Sequence, residues 1–505
     1  MALLQSILRH ALLRPRATMV VDDRGETSAF KLAAGSMFLA RHIRQATDRP
    51  HVGLMLPTSG AFGMALLGCW LAKRVAVPLN YLLAPEELRH VVGDSEIDVI
   101  FTSRKLLDVL EISQEHTGDA RIVCLEDLSF KGLPPLRLPA KQDDDALALL
   151  VYTSGTSGKP KGVELTFGNL ESNVRGCIEF AELKRSTGFL GVLPQFHSFG
   201  VNVMTLCPMV LGAKVIYTAR FAPKKIIELL REHRPDILVA VPSMFSALAN
   251  VKKAQPEDFA SLKYPVSGAE PLPDAVYEKF LDRFGVQILE GYGLTETSPV
   301  CNWSKPTDHK RHAVGKPLPD VRNFIVGEDG KTLLKPNESG EIAIAGPNVM
   351  RGYHKLPKLT DEVIKHLDVP GEAEPVRTFF TGDIGHVDEE GFLFITGRKK
   401  EMLIVGGENV FPREIEDVLV QHPSVAAAAV IGQRDDVRGE VPIAFVELAD
   451  DEAGKAFDES ELRSFARERI AGYKVPREIR VIDNLPRNPT GKILRRELSA
   501  EPSAK

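Results

Sequence analysis

Short runs of consecutive apolar residues alternate with stretches of helical periodicity along the first part of the chain. The apolar runs predict strands at 52–56, 99–102, 148–152, 214–217, 236–241 and 287–290. The periodic stretches predict helices at 60–72, 85–92, 169–180, 223–233 and 273–284. Because the apolar runs are continuous rather than alternating, both faces of each strand are expected to be covered. The pattern therefore predicts α/β layers with largely parallel sheets.

The pattern changes near residue 321. From there to residue 396, short strands separated by Gly-centred turns indicate a β-rich subdomain. The rest of the chain is typical of a small α+β unit, with helices at 412–421 and 459–470 and strands at 426–431 and 443–448. At the other end, residues 1–15 predict an amphipathic helix, because no apolar core precedes a small-residue cleavage site as in a secretory signal.

Length and charge exclude several classes of protein. A chain of 505 residues is too long for a peptide-sized binding module, and 63 basic against 68 acidic side chains give a net charge of −5. That balance provides no broad positive field for nucleic acid. The longest uncharged stretch, 52–72, is interrupted by Pro57 and several glycines, so no transmembrane segment is predicted, although peripheral contact with a membrane stays open.

Cysteine usage indicates the compartment. The five cysteines lie far apart, with no CxxC pair and no Cys/His cluster, which argues against both a disulfide framework and a zinc site. A reducing, cytoplasmic location is the prediction that fits this usage best.

The strongest local signal is the segment 151–162, VYTSGTSGKPKG, which directly follows a predicted strand. Its glycines allow close approach to a ligand, and its hydroxyls, backbone N–H groups and two lysines can bind phosphate oxygens. It is not a Walker loop, because only two residues separate Gly155 from Gly158 and Pro160 follows Lys159. Taken alone, the segment is also compatible with an ordinary surface turn.

Further segments decide between these readings. The loop resembles the signature of the adenylate-forming superfamily, which contains acyl-CoA synthetases, nonribosomal peptide adenylation domains and beetle luciferases. Other motifs of that family follow in its order, at 194–200 (PQFHSFG), 267–272 (SGAEPL), 290–297 (EGYGLTET), 381–383 (TGD), 397–398 (GR) and 489–492 (PTGK). The resemblance covers nearly the whole chain. It implies a large N-terminal domain over 1–396, a hinge at 397–402 and a small mobile α+β C-terminal domain over 403–505.

The resemblance also implies a reaction in which a carboxylate attacks the α-phosphate of ATP, so that pyrophosphate leaves and an acyl-adenylate forms. Fixed cations and N–H donors must then relieve the repulsion between two anions. Lys492 would bridge the carboxylate and the α-phosphate, Thr295 would bind the α-phosphate, and Glu296 with Thr153 would hold Mg²⁺. His197 would border the acyl carboxylate in an orienting or gating role.

The implied nucleotide site is larger than these residues. Tyr292 would stack on the adenine, Asp383 would accept both ribose hydroxyls, and Arg398 would contact ribose or phosphate. The other expected ATP contacts are Thr153, Ser154, Gly155, Thr156, Ser157, Gly158, Lys159, Gly268, Ala269, Glu270, Gly291, Gly293, Thr295 and Lys492.

A second step, in which the thiol of CoA attacks the acyl carbonyl and AMP leaves, is implied as well. Rotation at Glu401 in the hinge would bring Gly406, Gly407 and Glu408 to the pantetheine. The acid is expected to be a medium- or long-chain fatty acid. Its pocket is expected to be lined by His197, Val201, Met204, Ser243, Ser267 and Gly268.

Several alternatives remain open at this point. A carrier-protein pantetheine could replace CoA as the acceptor, as in an acyl-AMP ligase or an acyl-carrier-protein synthetase, and an aryl acid could replace the fatty acid. An inactive nucleotide-binding scaffold and a P-loop NTPase that forms ADP are the readings from other classes. The expected partners are therefore ATP, a carboxylic acid, CoA and, as an alternative acceptor, an acyl carrier protein.

Overall fold

The computed structural model describes residues 3–135, 142–154, 159–435, 438–450, 452–487 and 493–499. The helices are α1 (Leu3–Leu13), α2 (Ala29–Ala46), α3 (Gly60–Leu71), α4 (Pro85–Asp94), α5 (Arg104–Leu110), α6 (Gln114–Thr117), α7 (Phe167–Phe180), α8 (Ser198–Val201), α9 (Cys207–Leu211), α10 (Pro223–His233), α11 (Pro242–Ala249), α12 (Pro256–Phe259), α13 (Asp274–Phe284), α14 (Pro357–Val363), α15 (Pro412–Leu419), α16 (Glu452–Lys455) and α17 (Glu459–Arg467). A π-helical segment spans Asn202–Leu206 between α8 and α9.

The strands of the first 303 residues are β1 (Thr18–Asp22), β2 (Gly25–Ser28), β3 (His51–Met55), β4 (Val75–Pro78), β5 (Val99–Thr102), β6 (Arg121–Cys124), β7 (Leu147–Ser154), β8 (Pro160–Thr166), β9 (Phe189–Gly191), β10 (Val215–Tyr217), β11 (Ile237–Ala240), β12 (Tyr264–Ser267), β13 (Leu289–Gly293) and β14 (Val300–Trp303). The later strands are β15 (Lys316–Pro317), β16 (Arg322–Val326), β17 (Gly340–Ala345), β18 (Gly352–Tyr353), β19 (Ile364–Leu367), β20 (Val376–Val387), β21 (Leu393–Arg398), β22 (Leu403–Val405), β23 (Glu408–Val410), β24 (Val425–Asp435), β25 (Gly439–Leu448) and β26 (Glu478–Val481).

A nine-stranded sheet forms one large layer, in the order β15-β14-β13-β12-β11-β9-β10-β1-β2. Its six middle strands, from β13 to β1, run parallel. Helices α10, α11 and α13 cover one face, where buried Phe245, Phe259, Phe280 and Phe284 pack edge to face. The carboxyl ends of parallel strands meet at one edge of a sheet. The segments that follow β9, β12 and β13, which carry three of the sequence motifs, therefore converge there.

A seven-stranded sheet forms a second layer, in the order β18-β8-β7-β4-β3-β5-β6. Helices α2 and α3 pack against each other beside it, and the core continues through both sheets. Strands β7 and β8 are antiparallel neighbours, with Ser154 opposite Pro160. The two-residue strand β18 pairs with β8 through Gly352 opposite Glu164 and Tyr353 opposite Val163, which brings a distant part of the chain to the phosphate-loop segment.

Two smaller sheets complete the molecule. The first is antiparallel, in the order β16-β17-β20-β19 with β21 on β20, and the second has the order β23-β22-β25-β24 with β26 parallel to β25. The predicted fold class is confirmed: layered α/β sheets, a β-rich region and an α+β unit at the end. The predicted strand 99–102 coincides with β5 and the predicted helix 223–233 with α10.

Two expectations about membranes and cysteines can be compared with the described part of the chain. There, no helix is long and apolar enough to cross a membrane. All five cysteines lie in described segments, and each is buried and free.

Candidate active site

A cavity of about 670 Å³ opens where the carboxyl ends of β9, β11, β12 and β13 face β18, β20 and the end of β21. One part of its wall is polar and includes Thr153, Thr295, Glu296, Thr381 and Arg398. Another part is apolar. The two parts belong to one continuous space, so a molecule with a charged end and an apolar end could occupy both.

Asp383 is the centre of the first polar cluster. Its carboxylate is almost fully buried, accepts a 2.6 Å hydrogen bond from the Tyr292 hydroxyl, and lies 3.1 Å from Nε of Arg398. Burial raises the pKa of Tyr292 well above its ordinary value, and the negative Asp383 raises it further. The backbone turns sharply here, because Gly382 has a φ of +74° and the Asp383 N–H donates to the Thr381 hydroxyl.

Glu296 is the centre of the second cluster. The Tyr353 hydroxyl donates to Oε1 of Glu296 at 2.7 Å, and Lys161 donates to the same hydroxyl at 2.6 Å. The Lys161 ammonium lies 3.6 Å from Glu296 and 3.8 Å from the centre of the Tyr353 ring. Burial lowers the pKa of Lys161, while Glu296 acts in the opposite direction. The three side chains form a closed network in which Tyr353 touches both charges.

The residues of this cluster fit a magnesium ion. Glu296 is buried, and Oγ1 of Thr153 is a buried hydroxyl oxygen with no hydrogen-bond partner in the described part of the chain. Mg²⁺ prefers hard oxygen ligands and usually takes one or two from the protein, the rest coming from phosphates and water. Among residues 3–499, apart from the undescribed segments, there is no group of three or more His, Cys, Asp or Glu side chains that could hold a metal ion.

Thr295 and His197 lie between the polar and apolar parts. The hydroxyl of Thr295 is 3.1 Å from that of Ser198 at the start of α8. His197 immediately precedes α8, and its ring packs on Phe196 at 4.6 Å between centroids. Burial lowers the pKa of His197 to about 4, and its Nε2 has no partner within the described residues. The imidazole is therefore neutral at neutral pH.

The apolar part of the wall contains Val203, Val239, Val241, Met244 and Val266. Of the residues predicted to line the acyl pocket, only His197 borders the cavity. Val201, Met204, Ser243, Ser267 and Gly268 lie outside the wall, behind or beside residues that do line it. Gly268, for example, lies next to a residue that lines the cavity, because a Cβ at position 268 would come within 3.1 Å of the ring of Phe199.

The predicted nucleotide residues divide into three groups. The cavity is bordered by Thr153, Ala269, Gly291, Tyr292, Gly293, Thr295, Glu296 and Arg398. A Cβ at Gly293 would lie 1.8 Å from the Pro299 carbonyl oxygen, so this position requires glycine. Asp383 contacts two lining residues, Tyr292 and Arg398. Ser154 ends β7. Lys159 precedes β8 and Glu270 follows β12, and these two do not border the cavity. Gly155, Thr156, Ser157, Gly158 and Lys492 lie outside the described residues.

The predicted hinge residue Glu401 borders the cavity, together with Lys399 and Lys400. Lys399 pairs with Glu341 at 2.8 Å, and Arg495 pairs with Glu401 at 3.0 Å and with the buried Glu416 at 2.6 Å. The predicted CoA residues Gly406, Gly407 and Glu408 form the tip of the β22–β23 hairpin and do not border the cavity in this arrangement. Both glycines have positive φ, 64° and 89°.

Two polar residues that border the cavity, Tyr353 and Glu341, were not predicted from the sequence, and Lys161 was predicted only as one of two lysines that can bind phosphate. Lys161 belongs to the phosphate-loop motif, so the motif itself was a signal for it. Tyr353 and Glu341 lie between the motifs at 290–297 and 381–383, tens of residues from either. Only the pairing of β18 with β8 and of β17 with β20 brings them to the site.

Comparison with known proteins identifies the family. Residues 8–354 match the AMP-binding enzyme family, and residues 414–492 match the AMP-binding enzyme C-terminal domain. This chain belongs to the AMP-binding enzyme family. A feruloyl-CoA synthase from an Amycolatopsis species is 33% identical over 97% of each chain. A long-chain-fatty-acid–CoA ligase from Bacillus subtilis is 32% identical over 94% of this chain and 89% of the relative.

Solved structures agree with this assignment. The o-succinylbenzoate CoA synthetase of Bacillus subtilis, in complex with an acyl-adenylate intermediate, superimposes with a TM-score of 0.87 at 28% identity and covers 99% of both chains. The same synthetase has also been solved with ATP and a magnesium ion, and that structure gives a TM-score of 0.85. This AMP-binding enzyme is an acid–thiol ligase, and the adenylate-forming fold expected from the motifs is confirmed.

Proposed function

We propose that this AMP-binding enzyme is an ATP-dependent acyl-CoA synthetase that activates an apolar monocarboxylic acid, a medium- or long-chain fatty acid, through an acyl-adenylate. The observation that carries the proposal is the continuity of the cavity. The polar clusters around Asp383 and Glu296 open directly onto a wall of valine and methionine side chains. A carboxylate with an apolar tail is the substrate that such a space accommodates.

In the first step, the carboxylate oxygen attacks the α-phosphorus, and the bond to the pyrophosphate oxygen breaks. Asp383 accepts the ribose hydroxyls, Tyr292 lies against the adenine, and Arg398 contacts ribose or phosphate. Thr295 donates to an α-phosphate oxygen, and Lys492, assigned from its motif, bridges the two anions. Glu296 and Thr153 would hold Mg²⁺, which supplies positive charge to the phosphates. Tyr353 and Lys161 keep the Glu296 carboxylate in place.

In the second step, the CoA thiol attacks the acyl carbonyl, AMP leaves, and the thiol proton passes to solvent. The segment 403–505 would turn relative to 1–396 about residues 397–402, with Glu401 as the pivot, and carry Gly406, Gly407 and Glu408 to the pantetheine. The neutral His197 borders the carboxylate and orients it without adding charge.

An aryl acid is the second candidate for the acid. It is favoured by the 33% identity with feruloyl-CoA synthase and by the indole of Trp303 in the cavity wall, against which a flat ring can pack. The relatives that the comparisons name are CoA ligases, which supports CoA over a carrier protein as the acceptor.

The test is pyrophosphate and AMP release by the purified chain with ATP and Mg²⁺, against straight-chain and aryl carboxylates, with and without CoA. Turnover that rises with CoA for one class of acid is expected. Release of ADP would instead indicate a P-loop type of NTPase. If adenylate forms but CoA does not increase turnover, the proposal that CoA is the acceptor is contradicted. Lys492→Ala serves as the control, because it should remove pyrophosphate release and leave a nucleotide-binding protein.

A further inference from the structure

The outer face of α1 and the first turn of α2 expose three large apolar side chains. Leu12 is 79% exposed, Leu13 is 62% exposed, and Phe30 is 53% exposed, which places them among the most exposed large apolar residues in the described part of the chain. A backbone hydrogen bond places the start of α2 beside the end of α1, since the Phe30 N–H donates to the Pro15 carbonyl just after α1 ends. We call Leu12, Leu13 and Phe30 the α1–α2 tip.

This tip is a fixed part of the molecule. The opposite side of α1 is buried through Leu3, Leu4, Ile7 and Leu8, and the helix packs on α2 and α9. The ring of His10 lies 2.9 Å from the Val210 carbonyl oxygen. The exposure of the leucines therefore results from how a well-packed helix is oriented, and a partner would meet a preformed surface.

Exposed basic residues lie within three positions of the tip in the sequence. Neither α1 nor α2 contains an Asp or Glu. The exposed cations beside the tip are Arg9, Arg14, Arg16 and Lys31. The nearest acidic residues in sequence belong to the β1–β2 hairpin, where Glu26 accepts from the Thr18 hydroxyl. The chain as a whole carries a net charge of −5, so this concentration of cations is a local feature.

We propose that the α1–α2 tip docks on an anionic lipid surface. Apolar side chains that enter the boundary of a bilayer, together with basic side chains that meet its negative headgroups, are the combination that holds a helix at a membrane surface. Pairing of two copies through the same face would oppose four cations to four cations, which disfavours self-association. The tip does not border the catalytic cavity, so docking leaves the site open to ATP.

The test is cosedimentation of the full chain with vesicles of phosphatidylcholine alone or mixed with phosphatidylglycerol. Binding is expected with the anionic vesicles and is expected to fall as salt is raised. The double variant Leu12→Gln/Leu13→Gln should lower the partition coefficient about tenfold or more. Each of Arg14→Gln and Arg16→Gln should lower it about fivefold at low salt.

Val481→Gln is the matched control, because Val481 is 49% exposed on β26, in the separate C-terminal sheet. It should bind like the unaltered chain, and every variant should keep its turnover without vesicles. No binding to anionic vesicles, equal binding to neutral ones, or undiminished binding by the leucine variant would overturn the proposal. So would a lipid-free dimer that the leucine variant abolishes, because the tip would then belong to a second copy.

Discussion

Removing a single oxygen atom, with Tyr353→Phe, tests the role of the Glu296 cluster. The hydroxyl donates to Glu296 at 2.7 Å and accepts from Lys161 at 2.6 Å. A hydrogen bond to a charged group contributes about 1.5–3 kcal/mol. Lys161 and Glu296 are already 3.6 Å apart, so their direct attraction recovers part of that loss. We therefore expect a net loss of about 2 kcal/mol in transition-state stabilisation, which is about thirtyfold in kcat/KM for ATP.

The assay is pyrophosphate release in the adenylation step, measured against ATP concentration. Tyr217→Phe is the control, because the Tyr217 hydroxyl is fully buried and donates to the Met204 carbonyl at 2.8 Å, outside the cavity wall. That variant should lose stability but change kcat/KM for ATP less than threefold. If Tyr353→Phe also changes kcat/KM less than threefold while the protein stays folded, the network does not hold Glu296 for catalysis and the reasoning is wrong.

Three further predictions concern the rest of the site. Arg495→Ala should destabilise the C-terminal segment by about 3 kcal/mol, as seen by calorimetry, because it leaves the buried Glu416 carboxylate without its cation. His197→Gln should flatten the pH dependence of the free energy of unfolding in urea between pH 4 and 6.5. The pKa of His197 is lowered to about 4 in the folded chain. In this pH range the unfolded chain therefore binds more protons than the folded chain, and the free energy of unfolding falls as pH falls. Val239→Phe should shorten the longest acid that is adenylated, as measured by pyrophosphate release across a chain-length series.

For each of these three variants, one result would contradict the prediction. For Arg495, the exposed pair of Lys455 and Glu452 supplies the comparison, and Lys455→Ala should cost no more than about 0.5 kcal/mol. If both variants lose the same free energy of unfolding, burial does not strengthen the contribution of the Arg495–Glu416 pair to stability. A pH profile that is unchanged in His197→Gln would assign the dependence to another group. A chain-length optimum that does not move in Val239→Phe would place the acyl tail elsewhere.

Most of the architecture followed from the sequence because its signals are local. Continuous apolar runs marked β3, β5 and β11 as buried parallel strands, and motifs placed directly after strands pointed to one edge of the sheet. Asp383 and Arg398 were both predicted to belong to the nucleotide site, and the structure places Oδ1 of Asp383 3.1 Å from Nε of Arg398. The domain boundary, the hinge and the catalytic assignments stay predictions.

The apolar part of the cavity wall is formed by residues other than those proposed from the sequence for the acyl chain, and one local conformation differs from the regular helix. The segment Asn202–Leu206 is π-helical, a rare conformation with a wider turn than the α-helix that periodicity assumes. Within and beside this segment, Val203 borders the cavity and Val201 and Met204 do not, although all three are buried in the same core cluster. Tyr353 was missed for another reason, because a two-residue strand leaves no pattern in the sequence.

That two-residue strand also has a consequence for engineering the chain. Tyr353 is located by the pairing of β18 with β8, and not by the length of the polypeptide that leads to it. The preceding turn at Glu328, Asp329 and Gly330 belongs to another sheet and faces solvent. A reporter domain or an affinity tag inserted in that turn should therefore leave the hydrogen bond from Tyr353 to Glu296 intact. A labelled enzyme can then be built without disturbing the candidate active site.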